Sequence, residues 1–349
     1  MLFLFCVNLR SNIHFIECQE TPSFSKFQFV KNFGQDDDPY TKMTAQFYRN
    51  GKYGLDSTFF ATYWTPGIQP KIIPERINAL IFISHGYAEY LSDDYEEIAS
   101  HWSQKIGGGA LVFGHDHAGH GRTSAGERSL ITDLDDFTGP IIDHVKEIQR
   151  LTQKDGRILP TFIAAHSMGG LIALHTILKE PEIFDGFIGI SPMVKLEPSM
   201  ATPEKSFLAC FLSKVLPSFA LPFRLDAIDV TLITRDRRRW QIMNKDPLRY
   251  HGGTKARTGC TLLRGTELLQ ANISKLRLPI LVLQAGEDRL VDSRGALILF
   301  HGAHSSDKQF KEYPNAYHQL LTEFYDVRDD VKVVTEYWLN KRLVNYKMN

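Results

Sequence analysis

The chain has 349 residues, 43% hydrophobic and 23% charged, enough for one large domain or two small ones; one domain carrying an insertion is the expected plan. Its 40 basic and 40 acidic side chains cancel, so no global field steers the chain to nucleic acid or to an acidic polymer. Four dispersed cysteines, Cys6, Cys18, Cys210 and Cys260, make no CxxC and no dense framework. They imply neither a zinc site nor a disulfide scaffold and suit a reducing, cytoplasmic setting.

Residues 1–42 read as a poorly ordered extension. The start, MLFLFCVNL, is apolar but lacks a basic lead and a clear cleavage site, and it is too short to cross a bilayer; a targeting or anchoring role stays open. From Met43 the text alternates in the strand manner, with Asn50-Gly51 as a turn before STFFATYWTP, which predicts an opening antiparallel pair. ALIFIS (79–84) is a continuous apolar run, as expected of a strand covered on both faces, and it ends in HGYAEY. A helix over 95–105, the strand ALVFG and the Gly- and His-rich loop HDHAGHGRTSAGER follow. The next helix is expected to start at Gly139-Pro140, with Ile141, Val145, Ile148 and Leu151 on its apolar face.

Strands TFIAA and GFIGIS bracket another helix, so strands and helices alternate as in a mostly parallel sheet with helices on both faces. Alternation lapses over about 193–269 and resumes with LPILVLQAGED, a helix from about Ser293, QFKEYP and a last helix through Val331, Val334 and Trp338. The lapse reads as a cap set into the domain that spans 43–349. Within it, Phe207, Leu208, Phe211, Leu212, Val215, Leu216 and Phe219 share one helical face. That face suits either an interfacial helix or a cap packed on its own domain.

Chemistry centres on TFIAAHSMGG (161–170). A strand that stops, presents a serine and restarts as a helix is a nucleophile elbow, which makes Ser167 the candidate nucleophile. The turn needs small residues two positions before and two after the serine, here Ala165 and Gly169; the usual pattern has glycine at both. An ordinary serine capping a helix is the competing reading.

A serine needs a base, and the base needs an acid to hold its tautomer. Asp288 follows the strand ILVLQAGED and His318 lies just past the next strand, in NAYH. The order Ser167, Asp288, His318 is that of the α/β-hydrolase fold. Glu287 or Asp292 could replace Asp288, and His318 competes with twelve other histidines. The oxyanion hole is expected from the amides of Met168 and, after ALIFIS, Tyr87. The cluster His115, Asp116, His117, His120 reads as a packed loop; no metal and no cofactor are required. The arginines of TRDRRRW read as a solvated face, with anionic lipid as the sharper alternative.

Together HGYAE, FGHDHAGHGRTSAGER, AHSMGG, ISPMV, NKDPL, AGEDRLVDSRGA and NAYH, in that order over residues 45–342, resemble the monoacylglycerol lipase branch of the serine α/β hydrolases, a lysophospholipase-like group. The resemblance implies a cytosolic or membrane-associated esterase that releases fatty acid and glycerol from monoacylglycerols, with Glu89 among the substrate-binding residues and a helical cap touching the bilayer. A lysophospholipase or general carboxylesterase on the same fold, and a non-catalytic binding protein, are the rivals. Beyond Ala165, several positions depart from the family pattern: Tyr90 stands for its histidine, Ser92-Asp93-Asp94 for its basic residue, Leu321 for its second histidine, and Val291, Tyr250 and Arg257 stand where its pocket cysteines lie.

Overall fold

The computed structural model describes residues 25–30, 40–49, 57–67, 76–199, 201–220 and 229–347. Three strands, β1 (Ser25–Val30), β2 (Tyr40–Arg49) and β3 (Ser57–Pro66), join antiparallel, and β3 runs antiparallel to β5 (Ala110–His115). From β5 the remaining strands all run parallel: β4 (Ala79–Ser84), β6 (Thr161–His166), β7 (Gly186–Ile190), β8 (Ile280–Ala285) and β9 (Lys308–Tyr313). The order across the sheet is β1, β2, β3, β5, β4, β6, β7, β8, β9. Strands β4 to β8 are buried along their whole length, which is why they read as unbroken apolar runs. β9, at the edge, spells KQFKEY and stays half-exposed.

Two helical layers bury the sheet. On one face α1 (Glu96–Lys105) and α8 (Tyr325–Lys347) bring Trp102 and Trp338 onto Ile81, Phe162 and Leu283. On the other, α2 (Asp135–Thr152), α3 (Met168–Lys179), α6 (Ala256–Asn272) and α7 (Arg294–Gly302) bring Phe137, Leu171, Leu269 and Leu299 onto Phe82, Ile163 and Val282. This is the α/β-hydrolase architecture that the alternation predicts. The cap is built from α4 (Pro203–Val215) and α5 (Arg237–Lys245).

Several expectations need correction. α2 begins at Asp135, five residues before Pro140, which sits inside the helix. The missed signal is acidic: Asp133 Oδ1 accepts from the Asp135 amide, Thr132 donates to Asp136, and Asp135 and Asp136 lie in the positive first turn. The stretch expected as a poorly ordered extension contains β1 and the start of β2; its residues 1–24, with Cys6 and Cys18, and the Asn50-Gly51 turn lie outside the described residues. α6, placed in the cap by sequence, packs its Leu262 and Leu269 into the main core and belongs to the sheet's helical layer. Finally, Cys210 on α4 and Cys260 on α6 form a disulfide, contrary to the reading of unpaired cysteines. Fifty residues separate them, so only the fold brings them together.

Candidate active site

The backbone at Ser167 has φ 52° and ψ −122°, a conformation that costs a non-glycine residue about 1–3 kcal/mol and persists only where neighbours impose it. They do so on both sides. A Cβ on Gly169 would stand 2.1 Å from the Ser84 carbonyl oxygen, and one on Gly170 would stand 2.6 Å from Pro192 Cβ. Both positions therefore require glycine. Ala165 is tolerated because its partner across the β6–β7 pair is Gly189, which has no side chain to oppose the methyl. The strained turn puts Ser167 at the start of α3, where first-turn amides, Met168 included, have no intrahelical partner.

The partners arrive from the same rim. Asp288 follows β8, and its fully buried carboxylate is pinned by its own turn: Oδ1 accepts from the amides of Leu290 (2.9 Å) and Val291 (3.1 Å). Its Oδ2 accepts from His318 Nδ1 at 2.7 Å. Burial pushes the Asp288 carboxyl up, but the His318 contact and the two amides outweigh it and hold it below its ordinary value. With Nδ1 committed to Asp288, His318 keeps Nε2 for the cleft that it lines with Ser167. The alternatives for the acid are committed elsewhere. Asp292 is held at about 2 by hydrogen bonds from Arg294 and Lys195, and Glu287 is exposed beside Arg289.

The cleft is a partly open pocket at the sheet rim. Tyr87 and Glu89 bring the loop after β4 to it, and Val230, Ile233 and Leu290 supply an apolar wall. Glu89 Oε1 accepts from the Gly86 amide (2.5 Å), the Tyr95 hydroxyl (2.5 Å) and His166 Nδ1 (2.8 Å). Burial alone would raise this carboxyl; the His166 hydrogen bond, Arg249 and the Tyr95 hydroxyl win and keep it well below the carboxylate range. Burial lowers His166 below its ordinary value, against the opposing pull of Glu89.

The histidine-rich loop is spent on structure. His85 Nε2 accepts from the His117 amide (2.9 Å), His117 Nε2 meets the Ser84 hydroxyl (3.0 Å), and His120 Nδ1 donates to the Ala118 carbonyl (2.8 Å). Among the described residues no group of three or more His, Cys, Asp or Glu is placed to hold a metal ion. Arg235 of TRDRRRW is a buttress: it and the Tyr317 amide bond the buried Glu323, tying the cap to the His318 loop.

Residues 75–324 match the serine aminopeptidase S33 family. Human monoglyceride lipase is 38% identical over 304 residues, which span 87% of this chain and 92% of that protein, and the rat enzyme is 35% identical over 305 residues with the same coverage. The chain belongs to the monoglyceride lipase family. The fold agrees: a crystal structure of a soluble variant of monoglyceride lipase from Saccharomyces cerevisiae, in complex with a substrate analog, has a TM-score of 0.71 at 24% identity and covers 84% of this chain and 94% of its own.

Against that monoglyceride lipase pattern three of the departures find partners here. Tyr90 donates to Asp246 Oδ2 at 2.8 Å, Asp94 pairs with Arg249, and Leu321 is buried beneath the elbow in the α1–α8 layer. Arg249 is the site residue that sequence reasoning missed. Its only signal is its place two residues after the Asp-Pro of NKDPL, and nothing local to residue 249 points toward Glu89.

Proposed function

We propose that this chain is a serine carboxylic ester hydrolase that cleaves monoacylglycerols to free fatty acid and glycerol. The observation that carries the reading is the His318–Asp288 pair sharing an apolar-walled cleft with the strained Ser167, in a chain related to monoglyceride lipases over most of its length. Ser167 Oγ attacks the ester carbonyl as His318 Nε2 takes its proton; the amides of Tyr87 and Met168 receive the oxyanion. His318 then protonates the leaving glycerol oxygen, and a water activated by the same imidazole hydrolyses the acyl-enzyme. Asp288 fixes the imidazole and balances its charge in both halves. No metal or cofactor takes part, and Glu89 receives a hydroxyl of the headgroup.

A lipid surface is the proposed source of substrate. Phe207, Phe211 and Val215 on α4 project outward, 73%, 56% and 62% exposed, while Ala209 and Ser213 make the buried contact. Such an outward apolar face with Lys214 beside it suits an interfacial helix. Among the described residues no helix is long and apolar enough to cross a membrane; the contact proposed here is made through the outward face of α4. The Cys210–Cys260 bridge favours an oxidising compartment over the cytoplasmic setting that cysteine spacing suggests.

A turnover panel tests the reading: 2-monooleoylglycerol, lysophosphatidylcholine, p-nitrophenyl acetate and an amino-acid p-nitroanilide, each with and without neutral lipid vesicles. Monooleoylglycerol is expected to give the highest kcat/KM, rising with vesicles, and Phe207→Asp/Phe211→Asp is expected to remove the vesicle effect. Turnover confined to the acetyl ester or to the lysophospholipid would defeat the monoacylglycerol assignment.

A further inference from the structure

The two oxygens of Glu89 are used unequally. Oε1 is saturated by Gly86, Tyr95 and His166, whereas Oε2 faces Arg249 Nη1 at 3.9 Å, an ion pair too long for a direct hydrogen bond. Both residues line the cleft, so a ligand hydroxyl can reach Oε2. Arg249 does not come from the loop that carries Glu89. It lies after α5, in the cap, and its Nη2 is anchored by Asp94.

The cap loop bearing Arg249 is fastened to the Glu89 loop at several points. The Tyr250 amide donates to the Ala88 carbonyl (3.1 Å), Tyr90 donates to Asp246 Oδ2 (2.8 Å), and Arg128 donates to the Leu248 carbonyl. Arg249 itself is 7% exposed, so its charge acts on Glu89 with little screening by water. Two carboxylates, Glu89 and Asp94, face the one guanidinium, a set that accepts a neutral hydroxyl and disfavours a phosphate.

We propose that Arg249 is a positioning residue by which the docked cap keeps Glu89 Oε2 aimed and ionised, so that the enzyme selects an uncharged polyol headgroup. The inference rests on the monoacylglycerol reading and deepens it. Arg249 touches neither the reacting carbonyl nor Ser167; it acts through Glu89. Its contribution should therefore appear in KM for a substrate with free hydroxyls and vanish once Glu89 can no longer carry charge.

The test is a double-mutant cycle between Glu89→Gln and Arg249→Met, assayed on 2-monooleoylglycerol and on methyl oleate, which shares the acyl chain but has no hydroxyl. Each single variant is expected to lose about tenfold or more in kcat/KM on monooleoylglycerol, chiefly through KM, and a clearly smaller factor on methyl oleate. The double variant is expected to match Glu89→Gln alone. Equal losses on both esters, or a double variant worse than Glu89→Gln by the full Arg249→Met factor, would overturn the inference and leave the assigned reaction intact. A wild type that does not prefer monooleoylglycerol to methyl oleate would overturn the assigned reaction instead. Should Arg249→Met fail to fold, Arg249→Lys keeps the charge and loses the fork, with a loss of about threefold expected on monooleoylglycerol alone.

Discussion

The sheet rim and the cap meet at one cleft but are built by different rules. At the rim, backbone geometry decides: Ser167 sits at positive φ, Gly169 admits no side chain, and Asp288 is fixed by amides of its own turn. In the cap, long side chains and one covalent bridge decide: Arg249 reaches Asp94, Arg235 reaches Glu323, and Cys210 is bonded to Cys260. Rim residues are fixed by close backbone approaches, Gly169 against Ser84 and Asp288 against the amides of Leu290 and Val291, whereas cap residues are fixed by side chains and a bridge to partners 50 to 155 positions away. On the proposed reading the chemistry is carried by the rim and headgroup selection by the rim and the cap together.

The largest expected contrast comes from the acid. Asp288→Asn keeps the shape of the rim and leaves the cap untouched, yet it removes the charge that holds His318 in its tautomer; a loss of about 10⁴ in kcat is expected, with KM for monooleoylglycerol little changed. A loss below tenfold would move the acid role to another carboxylate.

Acid should next unravel the rim before the cap. Burial holds His85 and His117 well below their ordinary value, His120 at about 4 and His144 at about 3, so these rings are neutral in the fold and take up protons in the unfolded chain near 6.5. The unfolded state thus binds more protons as pH drops below 6.5, and stability that is complete above that value drains away toward pH 4. Asp116, raised by burial to about 6, and Asp185, also raised by burial, work in the opposite sense, but they stand against six histidines that burial lowers, His166 and His175 included. Between pH 7 and pH 5 the Tm is expected to fall by about 10 °C, read by scanning calorimetry. A Tm that is flat across this interval would show that the histidines are not buried neutral.

Reduction should act on the cap with a smaller effect. The Cys210–Cys260 link closes a loop of 50 residues, worth about 4 kcal/mol if it acts by constraining the unfolded chain. Reduction, or Cys210→Ser, is expected to speed proteolysis within residues 201–220 while p-nitrophenyl ester turnover changes by about twofold or less. Cleavage that spreads evenly through the sheet would deny the cap its separate stability.

The same contrast explains what sequence reveals. Apolar runs with period-free burial, the Ser167 turn and the order of Ser167, Asp288 and His318 are local patterns, and they foretold the parallel sheet and the residues at its rim. The start of α2 is misread because proline is a stronger textual mark than acidic residues, although Asp133 accepts from the Asp135 amide and Asp135 and Asp136 fill the first turn. The membership of α6 and the pairing of Cys210 with Cys260 depend on how α4 and α6 pack, which no short window encodes. Arg249 carries no local signal for the same reason: a guanidinium that pairs with Asp94 from 155 positions away leaves no mark beside Glu89 or Asp94.

The claim beneath all of this is that the hydroxyl at the strained turn after β6 is a nucleophile. Treating the folded wild-type chain with a fluorophosphonate and mapping the adduct by peptide mass spectrometry measures it directly. The account predicts one stoichiometric adduct, on Ser167, absent from Ser167→Ala. Folded protein that stays unlabelled, or an adduct that persists in Ser167→Ala, would contradict it.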